Sequence, residues 1–152
     1  MKLFLLCQLF FITLIYSHEP NKIIKKYKNG QKWYEGVIKN GKLDGTYTFW
    51  YRNGQISYQE NYKNGLRHGK FTGWYENGNI SSEKYFNNNE REGKWTTWYE
   101  NGQKSTERFY KKDKIDGLEY YWYESGKLYR ELIYSKNELI SEKKWNEDGS
   151  IF

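Results

Sequence analysis

Residues 93–102 read GKWTTWYENG, and this stretch is one copy of a pattern that recurs along most of the chain. Its Trp-Tyr pair returns every 24 residues, as Trp50-Tyr51, Trp74-Tyr75, Trp98-Tyr99 and Trp122-Tyr123. Two glycine series keep the same step. The first is Gly30, Gly54, Gly78, Gly102 and Gly126, and the second is Gly45, Gly69, Gly93 and Gly117. A fixed period in the range of about 20 to 50 residues indicates a stacked repeat architecture.

The first glycine series predicts a hairpin turn in every unit. Each of its glycines follows an asparagine, except that Ser125 precedes Gly126. Asn-Gly favours tight hairpins because both residues tolerate the positive φ angles that such turns require. In the unit 75–98 we therefore expect a turn at 75–78, a strand at 79–86, a second turn at 87–93 and a strand leading into the next unit. The runs between turns are rich in Tyr, Trp, Phe, Thr and Ile, which favour strands.

These elements predict an all-β fold, an elongated, open antiparallel meander of 24-residue hairpins with about 10 strands. A lead-in at 18–26 precedes the array at 27–152. Its units are approximately 27–50, 51–74, 75–98, 99–122 and 123–145, followed by a C-terminal cap. In the last unit, Ser141 replaces the glycine, and Trp145 and Gly149 fall one residue short of the period.

The composition favours a thin sheet with an aromatic interior. The mean hydropathy of -1.08 would by itself indicate disorder. However, the chain has 7 Trp and 16 Tyr, and each large ring can bury roughly 150 to 250 Å². The rings therefore supply the apolar area that aliphatic residues do not.

The N-terminal segment has the layout of a secretory signal peptide. Lys2 is followed by an apolar stretch from Leu3 to Tyr16, and the small residue Ser17 precedes a polar sequence. This layout predicts a cleaved segment at 1–17 and export to the periplasm, cell envelope or extracellular space. Cys7, the single cysteine, would leave with it, so the mature chain would have no thiol chemistry.

The recurring motif resembles the MORN-repeat variant, a family of bacterial proteins of which many are named YwqK-type antitoxins. The copies that carry the resemblance are Tyr51-Arg-Asn-Gly-Gln55, Tyr75-Glu-Asn-Gly-Asn79 and Tyr99-Glu-Asn-Gly-Gln103. Each is followed by a strand and a turn, and the first two are then followed by Gly-Lys-x-x-x-Trp. The resemblance covers residues 27–152. It implies strand-pair repeats in an open sheet, links to scaffolding and to phospholipid contact, and no shared catalytic residues.

The mature sequence offers little catalytic chemistry. It contains His18 and His68, and His68 lies in a predicted turn where we expect it to be solvated. A carboxylate recurs at Glu35, Glu83, Glu107 and Glu131, with Gln59 in the remaining unit. One carboxylate per unit along a ribbon is typical of cross-strand partners for Lys or Thr, or of side chains that support turns, rather than of an acid and base in one pocket. We therefore expect no enzyme activity, no cofactor and no metal site.

The aromatic ladders are the candidate binding face, and the alternative is that their rings only stabilise the sheet by packing between neighbouring repeats. Alternation places one ladder on each side of the sheet, Trp50, Trp74, Trp98 and Trp122 on one and Tyr51, Tyr75, Tyr99 and Tyr123 on the other. The leading hypothesis is a protein-binding or scaffolding surface, and an antitoxin-like protein that neutralises a partner is a variant of it. The alternative is binding of anionic membrane lipid or glycan through basic turns and aromatic side chains, given the charge of +6. Acidic residues in nearly every unit argue against nucleic acid, and the oligomeric state stays open.

Overall fold

The computed structural model describes residues 20–152 and shows an open, all-antiparallel sheet. The predicted signal peptide, Cys7 and His18 lie outside these residues. The sheet order is β1-β2-β4-β5-β7-β8-β10-β11-β12-β13-β14, with β3, β6 and β9 paired beside β2, β5 and β8. The strands are β1 (Asn21–Lys26), β2 (Lys32–Lys39), β3 (Lys42–Leu43), β4 (Gly45–Trp50), β5 (Ile56–Lys63), β6 (Leu66–Arg67), β7 (Gly69–Trp74), β8 (Ile80–Asn87), β9 (Glu90–Arg91), β10 (Gly93–Trp98), β11 (Lys104–Lys111), β12 (Lys114–Trp122), β13 (Leu128–Ser135) and β14 (Glu138–Lys144).

The meander of 24-residue hairpins is confirmed, with 14 strands in the described chain rather than about 10. The higher count has a local cause. Each of β3, β6 and β9 has only two residues and is the beginning of the strand that follows it, separated by a bulge. None of the described residues forms a helix long and apolar enough to span a membrane.

The turns at the first glycine series differ from the predicted form. Only the glycine has positive φ, for example 90° at Gly78, and the Gly78 N–H donates to the Tyr75 carbonyl at 3.0 Å. The Tyr75 N–H in turn donates to the Asn79 carbonyl at 2.8 Å. This is a three-residue hairpin loop with a glycine bulge. The asparagine contributes its side chain instead, because Asn77 Oδ1 accepts the Asn79 N–H at 2.9 Å.

The predicted second turn at 87–93 is wrong in extent. The chain reverses at Asn88 and Asn89, whose φ angles of 50° and 72° define a two-residue type I′ turn. Strand pairing resumes at once between β8 and β9. Two consecutive positive φ angles recur at Asn40-Gly41, Asn64-Gly65, Lys112-Asp113 and Lys136-Asn137. The second glycine series, which the prediction assigned to these turns, lies a few residues later.

The second glycine series occupies a bulge. Phe86 pairs with Arg91, whereas Glu83 pairs with Thr96, so the later strand carries two extra residues between these pairs. Gly93 lies in the extra segment with φ of 67°. In the last unit the bulge is smaller: Tyr134 pairs with Leu139 and Ile133 with Ser141. One residue is lost there, which accounts for the early arrival of Trp145.

The register divides the side chains into two faces. Face A carries Phe71 and Gly73, and face B carries Thr72 and Trp74, the alternate residues of β7. On face A, rings at centroid distances of 4.1 to 6.5 Å form a continuous aromatic stripe. Its members are Tyr34, Tyr47, Phe49, Tyr58, Tyr62, Phe71, Phe86, Trp95 and Tyr110. The buried hydrophobic residues of the described chain are Phe71, Tyr110 and Leu132, so the core is one layer thick.

Candidate functional site

A row of tryptophan and aliphatic side chains crosses face B beside the Asn-Gly turns. Cross-strand pairing sets Trp50 against Ile56, Trp74 against Ile80, Trp98 against Lys104 and Trp122 against Leu128. Lys32 lies over the Trp50 ring at 5.0 Å, and Lys104 lies over the Trp122 ring at 5.4 Å. We call this set the tryptophan row. Its members are Lys32, Trp50, Ile56, Trp74, Ile80, Trp98, Lys104, Trp122 and Leu128.

The centre of the tryptophan row is apolar. Between Trp50 and Trp98 its members are Ile56, Trp74 and Ile80, and the two isoleucines are 36% and 37% exposed. Ile80 and Trp98 line one shallow depression. All four predicted tryptophans are half-buried, with lysines close to the outer two rings. The row is therefore an open apolar strip with cationic side chains on either side of its centre.

The predicted tyrosine ladder links neighbouring units. The hydroxyl of Tyr51 donates to the Trp74 carbonyl, and that of Tyr75 donates to the Trp98 carbonyl, both at 2.7 Å. Tyr27, Tyr99 and Tyr123 donate to Trp50, Trp122 and Trp145 in the same way. Burial raises the pKa of Tyr51 above its ordinary value. Sequence reasoning missed this role, although the fixed Trp-Tyr step of 24 residues could have suggested it.

The recurring carboxylates on face B form ion pairs. Glu107 accepts from Lys104 at 2.8 Å and lies 3.6 Å from Lys94 Nζ, and Glu35 accepts from Lys32 at 2.8 Å. Burial acts to raise the pKa of Glu107, but the hydrogen bond from Lys104 and the charge of Lys94 outweigh it, so the pKa is lowered. In the unit without a carboxylate, Gln59 donates to Thr48 at 3.3 Å. The predicted cross-strand pairing with Lys is confirmed at Glu107, which pairs with Lys94, and at Glu83, which pairs with Lys70.

A buried ion pair ends the aromatic stripe of face A. Glu119 stands at the position that Phe71 and Trp95 occupy in earlier units, and it is 2% exposed. Arg108 Nη2 lies 2.8 Å from Glu119 Oε1, and the Tyr121 hydroxyl donates to the same oxygen at 2.8 Å. Burial, followed by the hydrogen bond to Glu119, raises the pKa of Tyr121. The sequence pattern gave no sign of this exchange of a ring for a buried charge.

Basic side chains surround aromatic rings at the first turn of the array. Lys25 Nζ lies 5.0 Å from the Trp33 ring centroid, and the Arg52 guanidinium lies 5.7 Å from that of Tyr27. These side chains, with Lys26 and Lys28, line a depression of about 480 Å³. Such cation–π contacts hold the positive groups beside the rings. A second basic depression is lined by Lys111, Lys112, Lys114, Asp116 and Lys136.

The remaining candidate residues form no metal-binding cluster in the part of the chain that the structure describes. His68 is half-buried in the bulge before Gly69, and its Nδ1 has no hydrogen-bond partner. The prediction of a solvated turn histidine is therefore wrong. Within residues 20–152 no three side chains of the metal-binding types come together.

The repeat geometry agrees with a match to a protein-family model, the MORN repeat variant. The matched segments are 43–64, 67–88, 91–112 and 115–136, together more than half of the 152 residues. The chain belongs to the MORN repeat variant family. Each matched segment contains one whole hairpin around an Asn-Gly or Ser-Gly turn. MORN repeats are protein- or membrane-binding modules and not an enzyme family. No curated protein matches the chain.

Proposed function

We propose that this MORN repeat variant protein is a non-catalytic, exported protein whose tryptophan row binds another protein or serves as a scaffold for it. The observation that carries the proposal is the apolar centre of the row, Trp50 to Trp98, with Lys32 and Lys104 flanking it on an open sheet face. Protein interfaces combine an apolar centre, enriched in aromatic residues, with a polar rim. The tryptophan row has the same arrangement, with an apolar centre and charged side chains beside it.

The dimensions of the row suit a protein partner. From β2 to β13 the row crosses eight strand spacings of about 4.8 Å, or about 38 Å in total. Face B extends beside it with the Thr residues and the Lys–Glu ion pairs. A strip of this length, with its charged margin, can supply the roughly 800 Å² per partner of a standard interface.

The test replaces exposed members of the row by a polar residue that keeps strand propensity. The double variant Ile56→Thr, Ile80→Thr should fold normally, because Thr is β-branched and both sites are partly solvated. Residues 18–152 of the parent and of the variant serve as baits for the envelope fraction of the source organism. We expect a protein that the parent retains and the double variant loses, and this retention should survive high salt because apolar contacts are weakly screened.

Ile24→Thr is the matched control. Ile24 is 49% exposed and pairs with Glu35, so it lies on face B but outside the tryptophan row. It should retain the partner. A partner lost equally from Ile24→Thr and from the double variant would show that general surface hydrophobicity, and not the row, causes retention. A partner retained by the double variant would also contradict the proposal.

A second candidate function is binding of an anionic lipid or glycan by the basic depression around Tyr27 and Trp33. Four cationic side chains converge there beside two rings, which favours a ligand with negative charge. Binding to vesicles of phosphatidylserine, or to heparin, should then weaken steeply with salt. Lys25→Gln with Arg52→Gln should abolish it, and Ile56→Thr with Ile80→Thr should leave it unchanged. Equal binding to neutral phosphatidylcholine vesicles would rule out this candidate.

An antitoxin-like role would be a special case of protein binding. The partner captured by the tryptophan row would then be an enzyme or toxin whose activity falls when the complex forms. Purified partner assayed with the parent chain and with the double variant decides this, since only the parent should inhibit. Export is tested separately, by N-terminal sequencing of the protein from cell fractions, and we expect cleavage near residue 17.

A further inference from the structure

On face A, the row of side chains nearest the turns of the first glycine series changes from aromatic residues to small residues and back along the sheet. Cross-strand pairs connect Phe49 with Tyr58, Tyr58 with Gly73, Gly73 with Ser82, and Thr97 with Thr106. At one end the row is aromatic, with Phe49 stacked on Tyr58 at 4.1 Å. Four small residues follow before the row becomes large again at Tyr121, the partner of Thr106. We call the strip floored by Gly73, Ser82, Thr97 and Thr106 the hydroxyl groove.

The walls of the hydroxyl groove are rings. Tyr58 closes one end and is 39% exposed, while Phe71 and Trp95 flank the floor on the side away from the turns. Tyr51 lines the turn side. From Tyr58 to Tyr121 the groove crosses five strand spacings, or about 24 Å. Two depressions, of about 320 and 220 Å³, meet at Lys84 along this path.

Hydroxyl groups cover the floor. A Cβ atom at Gly73 would lie 2.8 Å from Ser81 Oγ and 2.9 Å from Ser82 Oγ, so the glycine is what allows both serines to crowd this point. Neither serine hydroxyl makes a hydrogen bond to another protein group in the described structure. Thr97 and Thr106 hydroxyls bond each other at 2.7 Å and keep further donor and acceptor capacity. The floor therefore presents polar groups that are ready to pair with a ligand.

The groove carries charges of both signs. Arg108 at the border is paired with Glu119 at 2.8 Å, and the depression in the middle is lined by one cation, Lys84, and one carboxylate, Glu60. Lys84 lies over the Trp95 ring at 5.6 Å. A strongly anionic or cationic ligand would gain little here. A purely apolar segment would leave the floor hydroxyls without partners, which is costly.

We propose that the hydroxyl groove binds a neutral oligosaccharide. Sugar rings carry C–H groups on their faces and hydroxyls around their edges. The faces would stack on Tyr58 and Trp95, and the edges would exchange hydrogen bonds with Ser81, Ser82, Thr97 and Thr106. The length of the groove matches an extended chain of several sugar units rather than a single one. This site lies on the face opposite the tryptophan row and does not depend on the proposed protein interface.

The repeats supply variants that fill the groove with side chains the fold already accepts. Ser82 is equivalent to Tyr34 and Tyr58 in earlier units, and Thr97 is equivalent to Phe49 and Tyr121. Ser82→Tyr and Thr97→Tyr therefore place a ring where equivalent strands carry one. Retention of the far-UV circular dichroism spectrum and of the urea midpoint would verify folding.

The probes are cellohexaose, chitohexaose and laminarihexaose, titrated into residues 18–152 while tryptophan fluorescence is followed. We expect at least one probe to perturb Trp95 and to bind with a Kd below about 1 mM. Ser82→Tyr should weaken this binding at least about tenfold, and so should Thr97→Tyr. Ile56→Thr with Ile80→Thr, on the other face, should leave it unchanged.

Two results would overturn the proposal. One is the absence of saturable binding by all three hexasaccharides. The other is binding that both filled variants retain. If instead a protein partner is lost on filling the groove while no hexasaccharide binds, face A is a protein surface and the oligosaccharide assignment is wrong. Failure here leaves the proposed protein interface intact, because that interface is tested by variants on face B.

Discussion

The hydroxyl of one tyrosine per unit contributes directly to the stability of the array. Tyr75→Phe removes the hydrogen bond to the Trp98 carbonyl, which is 2.7 Å long and partly buried. We expect the free energy of unfolding to fall by about 1 kcal/mol, because the carbonyl loses its partner and the ring packing is kept. Urea unfolding measures this loss.

Tyr85→Phe is the control for that substitution. Tyr85 is 39% exposed, and its hydroxyl bonds no other group of the described chain. Its removal should change the free energy of unfolding by less than about 0.5 kcal/mol. Equal losses for the two variants would refute a structural role for the Tyr75 hydroxyl.

Tyr62 makes the stability of the protein depend on pH in the alkaline range. Burial and the hydrogen bond to Glu60 raise its pKa from 10.0 to about 12. The unfolded chain therefore releases this proton at lower pH than the folded chain, and stability is lost as pH rises from 10 toward 12. Urea midpoints measured across this range should fall, and less so in Tyr62→Phe.

The next repeat unit already carries a phenylalanine at the position equivalent to Tyr62. Phe86 occupies the equivalent site one unit later, so the ring of Tyr62→Phe should pack as the parent ring does. Other tyrosines with raised pKa, such as Tyr47, will retain part of the pH dependence. An unchanged slope in Tyr62→Phe would show that Tyr62 does not contribute.

At the residue scale, sequence reasoning located the ladders but not their bonds. Periodicity placed Trp74 and Tyr75 on opposite faces, and it could not show that the Tyr75 hydroxyl reaches the Trp98 carbonyl across a unit boundary. Periodicity also predicted the same kind of side chain at equivalent positions of every unit. The replacement of a ring by Glu119 depends on Arg108 and Tyr121 in neighbouring strands, and that is tertiary information.

At the scale of single elements, the two-residue turns are not equally favourable. Lys112 holds a φ of 48°, a conformation that L residues other than Asn adopt at a cost. Its equivalents are Asn40, Asn64 and Asn88. We expect Lys112→Asn to raise the free energy of unfolding by about 0.5 to 1 kcal/mol, measured in urea.

Lys111→Asn controls for the loss of positive charge. Lys111 ends β11 and has no positive φ, so its replacement should give no gain in stability. A gain of the same size in both variants would mean that relief of charge repulsion among the lysines, and not backbone strain, is responsible.

The number of turns could be predicted from the sequence, but the type of every turn could not. Asn-Gly is the strongest signal for a two-residue hairpin, and Asn40-Gly41 and Asn64-Gly65 form such turns. At Asn77-Gly78, however, only the glycine takes positive φ and a bulge follows. The true two-residue turn at Asn88-Asn89 has a weaker sequence signal. A bulge increases the local twist of the sheet. Whether a bulge forms depends on how the two strands pair, and the sequence of one segment does not reveal that pairing.

At the scale of the whole molecule, contacts run between neighbouring strands, so the array should accept an added unit. Insertion of a second copy of residues 67–90 after Glu90 keeps the register, because Arg67 and Arg91 are equivalent. We expect a folded protein whose longest dimension in small-angle scattering grows by about 10 Å, two strand spacings. Its unfolding should also show a larger dependence on urea.

The same insertion without its copy of Thr72 is the control. Loss of one residue within a strand moves the following side chains to the opposite face. This variant should lose stability and expose its rings. Similar stability for the two insertions would argue that the faces are not distinguished by packing.

The overall fold was largely predictable from the sequence, and the candidate site was predictable in part. The period of 24 residues fixed the hairpins, and alternation placed Trp50, Trp74, Trp98 and Trp122 together on one face. Ile56 and Ile80 lie between these tryptophans because a bulge shifts the strand pairing by one residue. The hydroxyl groove depends on small residues in four different strands, and only the register brings them into one row.

The short bulge of the last unit shows where this gene can change length. The structural equivalent of Gly117 is missing there, yet Glu142 still pairs with Leu132 as Glu119 pairs with Arg108. The lost residue lay within the bulge, so every later side chain kept its face. A one-codon deletion at a bulge glycine is therefore a mild change, while the same deletion three codons later would invert the rest of the strand. Length variation among related genes should concentrate at these glycines.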